Sequence, residues 1–97
     1  GYTLPWLELR KEIEQELENT RQKIQQAWEW RLSALQRGEP AAQVDAEWGR
    51  AVRAFRQHLE HLNQRIFDYN LQTPSDRFQM LRLNPDQELN RICGVEH

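Results

Sequence analysis

A single cysteine, Cys93, rules out an internal disulfide and fits a reducing compartment. Only two serines, Ser33 and Ser75, are present, and neither has a histidine near it in sequence. The four glycines are scattered, so no phosphate-cradling loop can be built from them. No apolar run approaches the ~18–20 residues of a membrane span, and no signal-like stretch opens the chain. A large excess of charge of one sign is missing too. Thirteen basic and fifteen acidic residues leave a net charge of -2, which gives no general pull toward nucleic acid or an anionic surface. Lysine is scarce, with Lys11 and Lys23 alone among the basic residues that are otherwise arginine. These shortages argue against an enzyme, and no cofactor site is expected.

What the chain has is helical periodicity. Trp6, Leu9, Ile13, Leu17, Thr20, Ile24, Trp28 and Leu35 form one stripe, interrupted by Thr20 and Arg31. Val44, Trp48, Val52, Phe55, Leu59, Leu62, Ile66 and Tyr69 form a second, in steps of four and three that mark a coiled-coil-like seam. Gly38 and Pro40 separate them and set a tight break. The spacing predicts an all-α long antiparallel helical hairpin over 1–74, with helices at about 3–37 and about 41–70. Each helix is a rod of roughly 50 Å at 1.5 Å per residue.

Residues 75–97 read differently. Phe78, Met80, Leu81 and Leu83 crowd together as an extended segment packing back on the hairpin. Asn84, Pro85 and the acids behind them then open a short helix at about 85–93. The first residues, Gly1 and Tyr2, read as mid-protein, so a targeting segment would lie outside this sequence.

Ninety-seven residues in a hairpin bury little surface, so stability and function both point to a partner. Trp30 stands two residues from Trp28, about 200° around the helix, and therefore off the seam. It is either covered by the tail or an aromatic anchor for another protein. Tyr2 and Phe78 are the other candidate interaction aromatics. Asn63, Asn70, Leu71 and Pro74 read as a structural turn at the end of the second helix, with Asp68 pairing locally with Arg65. Arg50, Arg53 and Arg56 recur every three residues, as a ridge for phosphate contact would. The more ordinary reading is a solvated face, neutralised across the hairpin by Glu12, Glu14, Glu16 and Glu18. His58 and His61 are close enough for one metal, yet the first helix supplies no matching ligand pattern, so no metal is expected.

Two blocks resemble a known family. The opening Gly1-Tyr2-Thr3-Leu4-Pro5-Trp6 with Lys11-Glu12-Ile13, and the block Leu62-Asn63-Gln64-Arg65-Ile66 running on to Asn70-Leu71 and Pro74, resemble the conserved domain that follows the J-domain in the DnaJ homologue subfamily C member 28 family. That domain also occurs alone in short bacterial proteins. Nothing here resembles the His-Pro-Asp motif of a J-domain, so the resemblance implies no stimulation of a chaperone ATPase. It implies a chaperone-linked accessory domain, in a mitochondrial matrix or a bacterial cytoplasm. The residues themselves point to a non-catalytic protein-interaction or assembly module, a subunit or accessory factor that binds through the seam and the off-seam aromatics. Its partner would be another protein or a second copy. An RNA- or ribosome-associated factor using the arginine ridge is the alternative.

Overall fold

The computed structural model describes residues 4–94. Three α-helices and one short 3-10 turn carry the described chain: α1 is Pro5–Gln36, α2 is Ala41–Gln72 and α3 is Pro85–Cys93, with the 3-10 turn at Asp76–Phe78. The all-α hairpin, the extended return and the short last helix expected from the sequence are all present. Tyr2 and Thr3 lie outside the described residues.

Local chemistry sets each boundary. Pro5 occupies the first turn of α1, where its missing N–H costs nothing. At the other end the Glu39 N–H donates to Ala34 and the Gly38 N–H to Leu35, both at 3.1 Å. This closure needs a left-handed residue, which Gly38 supplies at φ 79°. Pro40 then caps α2. Pro74 forces Thr73 into extended backbone (φ -73°, ψ 145°) and so ends α2. Asn84 caps α3, its side chain accepting from the N–H groups of Asp86 at 3.0 Å and Gln87 at 3.3 Å.

The seam is the core. Ile13, Leu17 and Ile24 of α1 interlock with Phe55, Leu59, Leu62, Ile66 and Tyr69 of α2, all buried. Burial of such side chains contributes roughly 1.5–3 kcal/mol each. Thr20 fits within this stripe because its hydroxyl donates to the Glu16 carbonyl at 2.7 Å, which satisfies its one polar group locally. Near the turn the register drifts. Ala34 is fully buried while Leu32, which the spacing groups with Trp28, is 45% exposed. Trp28 instead meets Trp48, ring centroids 5.2 Å apart.

The tail returns along one flank only. Its start is pinned where the Tyr69 hydroxyl donates to the Phe78 carbonyl at 2.6 Å and Arg10 donates to the same two oxygens at 2.9 and 3.0 Å. Asn70 then exchanges two hydrogen bonds with the Met80 backbone, and Asn63 exchanges two with Leu83. The spacings match. Seven residues of helix rise about 10.5 Å, and three residues of extended chain cover about 10 Å. Beyond the strap, Arg56 pairs with Asp86 at 2.7 Å, and Arg21 grips Glu88 with two bonds of 2.8 Å. α3 therefore lies against the flank built from Arg21 and Arg56, with Leu89 and Ile92 turned to the core.

Candidate functional site

A two-helix hairpin has two grooves, one on each flank of its seam. The strap and α3 lie along one, leaving depressions beside Arg21 and Glu88 and beside Phe67 and Arg82. The other groove runs between two lesser stripes. On α2 it follows Glu47, Ala51, Ala54, His58, His61 and Arg65, each preceding a position of the seam stripe. On α1 it follows Glu16, Thr20, Lys23, Ala27 and Trp30. Nothing in the described chain covers this flank. Thr20, Lys23, Ile24, Ala51, Ala54, Phe55 and His58 line a depression of about 240 Å³ at its centre. Ala54 and His58 continue into a second depression with His61. A third, of about 420 Å³, lies against Trp30, Gln43, Val44 and Glu47.

Both ends of the groove are marked. Trp30, 40% exposed, stands at the turn end. At the far end Arg65 reaches across to α1, pairing with Glu12 at 2.9 Å and with Glu16. The alternative in which the tail covers Trp30 does not hold among the described residues, whose tail lies on the opposite flank. Polarity along the groove is uneven. Glu47 pairs with Arg50 and Glu16 with Arg65, so the carboxylates at its ends are neutralised. Lys23, exposed, has no carboxylate within 4 Å among the described residues.

The other residues singled out from the sequence are distributed as follows. Phe78 is half-buried against Trp6, centroids 5.2 Å apart, and is taken up in anchoring the tail. Tyr2 lies outside the described residues. Asn63 and Asn70 act on the strap 20 and 10 residues further on. Leu71 is 71% exposed and Pro74 also faces solvent. Asp68 does not hold Arg65, whose guanidinium is occupied by Glu12 and Glu16. The arginine ridge is not neutralised across the hairpin as expected. Arg50 pairs within α2, Arg56 pairs with α3, and Arg53 has no ion pair among the described residues. The α1 acids instead serve Arg65 and Arg10. These three arginines are not brought into the groove as one site: only Arg50 borders it.

Two features escaped the sequence reading. One is the Arg21–Glu88 pair. Glu88 is 6% exposed, and the bonds from Arg21 hold its carboxyl below the usual range against the opposing effect of burial. The Arg21 guanidinium is held correspondingly more basic. No local spacing links residues 67 apart. The other is a set of exposed apolar side chains, Phe67, Leu71 and Leu81, at 62%, 71% and 89% exposure. Phe67 and Leu71 at i, i+4 off the seam were its signal. Cys93 is half-buried, and burial raises its thiol above the ordinary value, so it is not a reactive thiolate. Among the described residues no group of His, Cys, Asp and Glu is placed to hold a metal, and no helix is long and apolar enough to cross a membrane.

No family model matches the chain, and no solved structure matches it. The chain is similar to the DnaJ homolog subfamily C member 28 of Mus musculus, with 26% identity over 93 residues. That match covers 95% of this chain and 23% of the mouse protein, so the chain spans about a quarter of the length of this relative. The resemblance carried by the opening and by Leu62–Pro74 is thereby borne out.

Proposed function

We propose that this chain is a non-catalytic protein-interaction module, serving as a subunit or accessory factor of a larger assembly. The observation that carries this reading is the asymmetry of the hairpin. One flank carries the strap and α3, while the other, ending in Trp30, has no cover from the described chain. Partly exposed tryptophan beside a shallow depression is the kind of anchor that dominates protein interfaces.

Similarity to a segment of a DnaJ homolog supports a related reading, a chaperone-linked accessory domain. In that case the assembly would be a chaperone complex, and the open flank would still be the contact. The RNA reading has less support, because Arg50 and Arg56 already hold carboxylates.

The test is co-purification from the protein's own cells at low and high salt, comparing the native chain with Trp30→Ala and Ala54→Glu. Both positions are exposed, so both variants keep the fold. A stoichiometric protein set that survives high salt and is lost from both variants is the expected result. Retention of the same set by both variants would remove the open flank from the account. Ribosomal or RNA-bound material lost at high salt would put the arginine ridge first.

A further inference from the structure

The occupied flank shows what kind of element fits this hairpin, and the open flank offers one cation and two histidines without an occupant. On the occupied side, two hairpin cations, Arg21 and Arg56, hold two acids of a short amphipathic helix, Glu88 and Asp86. That helix turns its apolar side, Leu89 and Ile92, to the seam. On the open side, Lys23 and the histidines His58 and His61 border the central depressions. No carboxylate lines those two depressions. The floor is small: Ala51, Ala54 and Thr20 leave room for a helix backbone to come near.

We infer that the open groove receives an amphipathic helix of another protein, with small apolar residues on its inner stripe and carboxylates on its flanks. The inference rests on the interaction reading above and names the chemistry of its partner. Length agrees with a helix. Glu47 to His61 on α2 spans about 21 Å, the length of about 14 helical residues. The groove is stopped at one end by Trp30 and at the other by the Arg65 bridge to Glu12 and Glu16. Among the described residues, a second copy of this chain has no free amphipathic helix to give. The apolar stripes of α1 and α2 are consumed in the seam, and that of α3 packs against it.

The experiment uses two synthetic helical peptides with one alanine stripe, flanked by glutamate in the first and by lysine in the second. Each is titrated into the isotopically labelled full chain and followed by NMR. The glutamate peptide should shift the amides of Ala51, Ala54 and His58 and the Trp30 indole N–H saturably. It should bind at least about tenfold tighter than the lysine peptide, and Lys23→Glu should reverse the order. Lys23 is exposed and has no ion pair among the described residues, so that variant keeps its fold. Equal binding of the two peptides, no saturable shift, or shifts confined to α3 and the strap would each overturn the inference. A concentration-dependent dimer abolished by Ala54→Glu in sedimentation would overturn it in favour of a second copy. Failure of the peptides leaves the co-purification result untouched, so the two readings fall separately.

Discussion

Arg21 of α1 grips Glu88 of α3 through two hydrogen bonds of 2.8 Å across 67 residues of chain. A carboxylate exposed by only 6% is thereby kept charged inside the fold. Removing the guanidinium strands that charge. Arg21→Ala should cost about 1–3 kcal/mol, below the ~3–5 kcal/mol of a fully buried pair, because Arg21 itself is partly solvated. Urea unfolding followed by circular dichroism measures the loss. Hydrogen exchange should show it concentrated in α3, with the hairpin protected as before.

The same pair makes docking of α3 pH-dependent. Glu88 titrates lower in the fold than in the unfolded chain, first through its bonds from Arg21. Its contribution is therefore complete above the ordinary glutamate value of about 4.3, and is lost as pH falls through the depressed folded value. Exchange protection of α3 should fall through that window in the native chain. In Glu88→Gln this step should be missing.

Asn63 and Asn70 each satisfy both backbone groups of a strap residue. Replacing either with alanine leaves one donor and one acceptor unpaired, at about 1–3 kcal/mol. The two losses should not add, since both act on one strap. Amide exchange across 79–84 should speed up by a larger factor than exchange in the seam.

Leu62, fully buried in the seam, is the reference for core packing. Leu62→Ala should destabilise by about 2–5 kcal/mol in thermal or urea unfolding. A loss below about 0.5 kcal/mol would mean that Leu62 is not a packed seam residue.

The hairpin was legible because its signals are local. Periodic apolar residues, Gly38 with Pro40, and the Asn84-Pro85 start each fix structure within a few positions. The site was less legible. Trp30 could be placed off the seam by rotation alone, but which flank the tail would take depends on Asn63, Asn70, Arg21 and Arg56 meeting residues far along the chain. Asn63 and Asn70 looked like parts of a turn because asparagine near a helix end usually serves local backbone groups. The seven-residue spacing that matches an extended strap has meaning only once the strap is known to lie there. Arg56 read as part of a phosphate ridge because its partner, Asp86, sits 30 residues away.

The most direct measurement is covalent-label footprinting of the chain within the complex isolated from its own cells, compared with the chain alone. Protection of Trp30, Lys23 and the stretch from Ala51 to His61, with the strap and α3 unchanged, is the result this account predicts. Protection of Phe67, Leu71 and Leu81 with Trp30 and Lys23 still labelled would contradict it, and would move the contact to the other end of the hairpin.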